Sequence, residues 1–362
     1  NPDTMRMEVT DFMAVIFNPV AQAKFVHTVS AGYVCAATFV LGVSAWYLLR
    51  GRHVELAKRS FVIASAFGLA SALSVIVLGD ESGYALTDNQ KMKLAAIEAM
   101  WETEPAPASF TAFGIPSQRD RETHFAIRIP WVMGIIGTRS IDREIPGIDQ
   151  LVAHAEERIR TGILAYDALE KVKANRSDTA ARAAFDANSR DLGYALLLKR
   201  FLPDPRQASE QQIKDAAWST VPYVPLLFFG FRLMVACGFL LAALFAVSLW
   251  HTTRETAAPR WLLRAALLAM PLPWIAIEVG WFVAEFGRQP WIIDGVLPTF
   301  LATSELGAWN LMLTIASFTL IYGVLAVIEV RLMLAAIRKG PEVAKVIDDL
   351  RPNADPAMQP AE

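Results

Sequence analysis

Five apolar runs, interrupted once by a long hydrophilic insertion, limit what this 362-residue chain can become. They extend from Phe25 to Leu49, Phe61 to Leu78, Pro225 to Trp250, Trp261 to Phe286 and Leu306 to Val330. Each approaches or exceeds the roughly 20 residues that carry a helix across a bilayer. Inside lipid the backbone must satisfy its own hydrogen bonds, and single apolar runs of this length do so as helices. The expected fold is therefore all-α, a polytopic transmembrane helix bundle of five spans with a large extracytoplasmic hydrophilic loop domain. Composition agrees, since 54% of residues are hydrophobic and 19% charged, too oily for a wholly soluble protein of this size.

Basic residues orient the spans. Arg50, Arg52, Lys58 and Arg59 lie between the first two, Arg254, Arg260 and Arg264 between the third and fourth, and Arg331, Arg338 and Lys339 at the end of the fifth. Those segments are expected in the cytoplasm. The insertion then stands outside. The resulting organisation is an extracytoplasmic segment at 1–24, a helix pair at 25–79, a loop domain at 80–221, three spans at 222–335 and a cytoplasmic tail at 336–362. Helix-like stretches in the loop domain are Thr87 to Glu102, Ile148 to Ala174, Thr179 to Arg200 and Ser209 to Trp218, with breaks at Pro105-Ala106-Pro107 and Gly114-Ile115-Pro116. A connection this long is expected to be functional or disordered, and apolar Ile163, Leu164, Tyr166 and Leu169 argue that it folds. The Pro/Ala-rich stretch after Arg351 is the only low-complexity segment.

A net charge of −2 without a basic stripe gives no footprint for nucleic acid. Cys35 and Cys237 lie in different spans and read as small buried hydrophobes. The chain opens at Asn1-Pro2-Asp3 with no starter methionine or signal peptide, and is expected to be the later part of a longer polypeptide or a processed product.

Three constellations carry chemistry. His27, at the outer end of the first span, and Met234, about two turns into the third, fall in the same leaflet. An imidazole and a thioether can close both axial positions of a haem iron. A charged side chain inside a span is costly, so Arg232 needs an anion, and a haem propionate would serve. Two residues apart, Arg232 and Met234 point to different sides of their helix. In the fourth span Glu278 and Glu285 share a face about 10 Å apart along the axis, although Glu285 has a plain partner in Arg288. Lys93 and Glu98, at the start of the insertion, could hold a quinol headgroup and take its proton, while a solvated helix face explains the same spacing.

Lys24-Phe25-Val26-His27-Thr28, Gly79-Asp80-Glu81-Ser82-Gly83-Tyr84, Lys93-Leu94-Ala95-Ala96-Ile97-Glu98 and Gly287-Arg288-Gln289-Pro290-Trp291 closely resemble subunit I of the cytochrome bd-type quinol oxidases with a long quinol loop. The resemblance runs from about Met5 through Lys339. It implies that His27 and Met234 are the axial ligands of a low-spin haem b, supported by Arg232. It makes Glu285 the ligand of a high-spin haem b, with Arg288 and Trp281 beside it, and Lys93 and Glu98 the quinol-oxidising residues. Glu278 stays a buried acid near proton movement or haem packing. The family's haem d ligand and oxygen-site acids belong to earlier helices, and none of these precedes Asn1. His53, His124, His154 and His251 are therefore read as solvated or structural.

The implied activity is ubiquinol oxidation at the periplasmic face of a bacterial inner membrane. Electrons pass through haem b to the oxygen-reducing site, and a proton motive force arises without pumping. The implied partners are subunit II, small single-span subunits, the N-terminal part of the same subunit, quinol, oxygen and membrane lipid. Two other readings remain open on residues alone. One is a solute or ion transporter with a helix broken at Pro271 and Pro273, and the other is a non-catalytic quinol-binding half of an oxidase.

Overall fold

The computed structural model describes residues 8–254 and 258–341. A short helix α1 (Phe12–Ile16) leads into α2 (Pro19–Arg50), the first span. Asn18 starts α2 by accepting from the Val20 and Ala21 amides at 2.9 and 3.4 Å, with Pro19 preset for the first helical position. Gly51 ends it in the left-handed region at φ 62°, and the Arg52 amide bonds back to the Tyr47 carbonyl at 3.0 Å. That turn returns the chain as α3 (Val54–Asn89), which does not stop at the membrane surface but carries the second span well into the insertion.

The loop domain continues with α4 (Lys91–Glu98), strands β1 (Phe110–Ser117) and β2 (Glu122–Ile129), and α5 (Ile148–Ala174). Then follow α6 (Thr179–Asn188), α7 (Leu192–Leu196) and α8 (Glu210–Trp218). The remaining spans are α9 (Val224–Thr253), the pair α10 (Arg260–Leu268) and α11 (Leu272–Phe286), and α12 (Ala308–Lys339), with strands β3 (Trp291–Ile293) and β4 (Leu297–Pro298) between α11 and α12. Among the described residues five helices are long and apolar enough to cross a membrane, as expected, and the fold is mostly helical with little sheet. The fourth span is interrupted at Ala269 to Pro271, where the prolines predicted a break. The tail beyond 341, including its Pro/Ala-rich end, lies outside the described residues.

The β1–β2 hairpin occupies a region read from sequence as a helix break. Its inward positions are Thr111, Gly114 and Pro116, while Phe113 and Ile115 point outward. Register shifts on both sides of Phe113 blur the alternation further. β2 does alternate at Phe125, Ile127 and Ile129, but Gly114 and Pro116 read as breakers in β1 and hide its partner strand.

Inside the membrane, α2 packs on α3, α3 on α9, α9 on α11, and α11 on α2. The four helices close a ring in which α2 and α9 lie across from one another. Leu41, Phe61, Leu241, Phe245 and Leu263 build the core towards the basic, expected cytoplasmic end. Small residues allow the close approach that membrane helices need. Ser30 Oγ and Ser74 Oγ share a hydrogen bond of 3.0 Å, and a Cβ on Gly68 would collide with the Phe245 ring. By contrast α12 stands apart, with no buried residue. It touches the ring through its C-terminal end, where Tyr47 donates to the Ile337 carbonyl at 2.7 Å and Arg52 to that of Arg338 at 3.1 Å.

The loop domain sits on α9 and α11. Leu94, Ile97, Met100, Trp101 and Ile148 form one core with Leu227 and Phe228 of α9 and Val283 of α11. A second core joins α5, α8 and Trp291.

Replacing Gly68 by Val forces the fully buried Phe245 ring out of place. Overpacking of this kind costs about 1–3 kcal/mol, and is expected as a lowered melting temperature of the detergent-purified protein.

Candidate functional site

The tightest polar cluster lies where α4 meets α9. The helix α4 is buried from Lys93 through Glu98 and ends at Ala99 in the left-handed region, φ 52°. Burial of both polar residues, 5% exposed for Lys93 and 3% for Glu98, excludes the solvated helix face left open by their spacing.

Arg232 reaches from the third turn of α9 into this junction. Its Nη2 donates to Glu98 Oε2 at 3.1 Å and to the Thr111 carbonyl. Its Nη1 donates to the carbonyls of Ile97 at 2.9 Å and Phe228 at 3.1 Å, and its Nε to those of Thr111 at 3.1 Å and Ala112 at 3.3 Å. The guanidinium also lies 3.3 Å from the Phe228 ring centroid. The anion that the sequence reading sought in a haem propionate is thus supplied within the chain by Glu98. Burial pushes the Glu98 carboxyl up to about 7, against the opposing pull of Arg232.

Lys93 and Glu98 do not meet. Five positions apart on α4, they point to different sides of the helix. Lys93 turns to α11, where its Nζ donates to the Ala284 carbonyl at 2.8 Å. That carbonyl is in the last turn of the helix, where a cation is favoured. Gly287 permits the approach, since a Cβ there would sit 3.0 Å from Lys93 Cγ. Burial, and then repulsion from Lys24 and Arg288, bring the Lys93 ammonium down to about 8, with Glu285 and Asp294 acting the other way.

Lys93 also lines a cavity of about 400 Å³ with Gln90, His154, Arg158, Arg288 and Asp294. Two buried side-chain atoms on this wall, Gln90 Oε1 and Arg288 Nε, lack a hydrogen-bond partner. Burial raises the Asp294 carboxyl, opposed by Arg158 and Lys93. Arg158 is held by Asp191 at 2.6 Å and lies over the Tyr194 ring. Sequence reasoning missed Gln90, Arg158, Tyr194 and Asp294, which come from four separate elements or loops with no motif joining them. Nor did it find a use for His154, which borders this cavity.

His27 and Met234 project from the two helices that face each other across the ring. Both are half-buried. His27 rests against Gly79 of α3, and its Nδ1 is buried without a partner. Met234 Sδ lies 2.8 Å from where a Cβ on Gly280 of α11 would sit. Each side chain therefore abuts a glycine on a third helix rather than the other ligand candidate. An orphaned imidazole nitrogen, a thioether and two glycines that leave room fit the axial donors of a low-spin haem. Among the described residues no cluster of three or more His, Cys, Asp or Glu could hold a bare metal ion.

On α11, Trp281 is 66% exposed and Glu278 is exposed, while Glu285 is bound by Arg288. The expectation of a buried acid at Glu278 is not met within this chain. His53 packs edge-on against Tyr47 with ring centroids 5.4 Å apart, a structural place at the end of α2.

A ring of membrane helices capped by a polar loop domain, with a buried acid and a buried base at their junction, describes a polytopic membrane protein with a polar site at one membrane face. The sequence model described as Cytochrome bd terminal oxidase subunit I matches residues 1–341. The chain belongs to that family. It is 42% identical over 340 residues to the cytochrome bd-II ubiquinol oxidase subunit 1 of Escherichia coli K12, covering 94% of this chain and 66% of the relative. It is 26% identical over 339 residues to the cytochrome bd ubiquinol oxidase subunit 1 of Bacillus subtilis 168, covering 93% and 60%. The bd oxidase structure from Geobacillus thermodenitrificans matches with a TM-score of 0.63 at 22% identity, over 91% of this chain and 61% of that one, a likeness of fold. The chain thus spans between 60% and 66% of the length of these curated relatives. Family membership does not favour the transporter reading.

Replacing Arg232 by Met removes the partner of Glu98 and the side-chain donor to the Ile97, Thr111 and Ala112 carbonyls. Loss of one partner of a buried pair costs about 3–5 kcal/mol. The expected result is faster amide hydrogen exchange across 97–112, read by mass spectrometry, with exchange in α12 unchanged.

Proposed function

We propose that this chain serves a haem-containing quinol:oxygen oxidoreductase of a bacterial inner membrane, oxidising ubiquinol at the periplasmic side. The observation that carries the reading is a buried base and a buried acid, Lys93 and Glu98, flanking one helix. The acid is locked to an arginine two residues from Met234. Family membership supports it, as do the names of the relatives, two of which are ubiquinol oxidase subunits.

His27 and Met234 would hold a low-spin haem b, and Glu285, with Arg288 and Trp281, a high-spin haem b. These groups would supply one-electron acceptance and delivery, and the haem d ligand would come from a segment upstream of Asn1. The chain's own residues do the rest. Lys93, charged at the cavity wall, donates to a quinol oxygen and orients the headgroup. Glu98 holds a proton at its carboxylate. When Glu98 is protonated, Arg232 remains charged without its counter-ion, and the local potential becomes more positive, which favours an electron arriving nearby. Arg232 would therefore act on the haem through its charge and through the loop it anchors.

Protons released by the loop domain appear outside, while those for water come from inside, so charge separates without a pump. Subunit II, small single-span subunits and the N-terminal part of the same subunit complete the assembly. The loop domain at 80–221 would stand in the periplasm and the basic connections in the cytoplasm.

Two tests follow. Ionised Glu98 is the form above about 7, and charged Lys93 the form below about 8. Steady-state oxygen consumption with ubiquinol should rise through the first value and fall through the second. Glu98→Gln should flatten the acidic limb and Lys93→Gln the alkaline limb, each with haem content kept. An unaltered profile in both variants would remove their roles. Separately, Met234→Leu should abolish the low-spin component of the reduced-minus-oxidised spectrum along with quinol oxidation, and an unchanged spectrum would overturn the ligand assignment.

A further inference from the structure

The β1–β2 hairpin carries an apolar face that nothing in the loop domain covers. Phe125, Ile127 and Ile129 recur at every second position of β2 and are 82%, 61% and 44% exposed. On β1, Phe113 stands directly opposite Ile127 and so shares that face, with exposed Ile115 two residues on. Trp131, just past β2, is also exposed. Phe125 and Trp131 have φ of 52° and 68°, a region bulky residues seldom adopt, and the strained backbone holds both rings away from the domain core. A continuous apolar face of this kind marks a contact surface.

Hydrogen bonds at two points set the depth of the hairpin along α9. At its tip, Gln118 Oε1 accepts from the amide of Val224, the first residue of α9, at 3.0 Å. At its open end, the Thr111 and Ala112 carbonyls accept from Arg232. Val224 and Arg232 are about 12 Å apart along the helix axis. The 30 residues of α9 span more than the hydrocarbon core needs. Placed symmetrically, roughly its first five residues stand among headgroups and Arg232 just inside the core.

The hairpin therefore descends beside α9, tip at the surface and open end deepest. The tip is Ser117-Gln118-Arg119-Asp120, while the open end presents Ile129 and Trp131 beside Arg128, whose charge is paired with Glu104 at 2.8 Å. The α9 residues Leu226, Phe229 and Leu233 are exposed as well, on a side of the helix turned away from the Val224 and Arg232 contacts, so α9 presents an apolar surface at the same depth as the hairpin.

We infer that the β1–β2 hairpin is an interfacial membrane anchor. Its Phe113, Phe125, Ile127, Ile129 and Trp131 face rests at the headgroup–acyl boundary of the leaflet on which the loop domain stands. This goes beyond the oxidase reading and does not depend on it. Through Arg232 the anchor ties the position of α4, with Lys93 and Glu98, to the bilayer surface.

The test places a bimane label at Phe125→Cys, or at Ile129→Cys, in the full assembled complex. The complex is held in phosphatidylethanolamine/phosphatidylglycerol vesicles, and signal from Cys35 and Cys237 is subtracted using the labelled parent. A nitroxide near the top of the lipid acyl chain should quench most of the emission at 125 and 129, with aqueous iodide having little effect. A label at Arg119→Cys should respond to iodide. Quenching of residues 125 and 129 by iodide alone would mean a water-facing hairpin. Quenching by neither agent would mean cover by protein, from the rest of the subunit or a partner. Either result overturns the anchor.

Discussion

The Arg232 guanidinium fixes the register of the loop domain on the membrane helices, at the edge of the apolar core that α4 and α5 share with α9 and α11. Arg232 sits on a membrane helix, yet its hydrogen-bonding capacity is directed to the loop domain, to Glu98 and to carbonyls at the end of α4 and the start of β1. The Phe228 carbonyl, one turn back on its own helix, takes the remaining bond. A charge so far from water must be paired and fully hydrogen-bonded to be tolerated. The backbone of the loop therefore has one register on α9, and that register places α4 against α9 and α11.

From this junction the chemistry divides. Glu98 faces α9 and is governed by burial against the pull of Arg232, while Lys93 faces α11 and a polar cavity. Their ordinary values, far apart in water, are brought to about 7 and about 8. An acid and a base poised near neutrality on opposite sides of one short helix suit a site that binds a weakly acidic headgroup at one face and handles a proton at the other. Glycines do the geometric part. Gly287 admits the Lys93 stem, and Gly79 and Gly280 leave room at His27 and Met234.

The spans were legible because lipid imposes a simple rule on the chain: apolar length alone commits Phe61 to Leu78 or Leu306 to Val330 to a helix. The break at Pro271 was legible for the same kind of local reason. The hairpin at Phe110–Ile129 was not, because Gly114 and Pro116 read as breakers in β1 and register shifts beside Phe113 disturb its pairing. Nor was the cavity wall, where Gln90, Arg158, Tyr194 and Asp294 come together from distant segments. Glu278 is exposed within this chain, since sequence gives the depth of a residue in the membrane but not the direction in which its helix face turns.

By itself, then, the sequence determined how many times the chain crosses the membrane, where the polar insertion falls, and which residue types stand at the candidate site. Those properties follow from transfer free energies and backbone hydrogen bonding, which act locally along the chain. Only the tertiary structure decided who meets whom. It paired Arg232 with Glu98, turned Lys93 away from Glu98 and set the apolar face of the hairpin beside α9. Such choices depend on which helix faces pack and on which buried polar atoms find partners across more than a hundred residues of intervening chain.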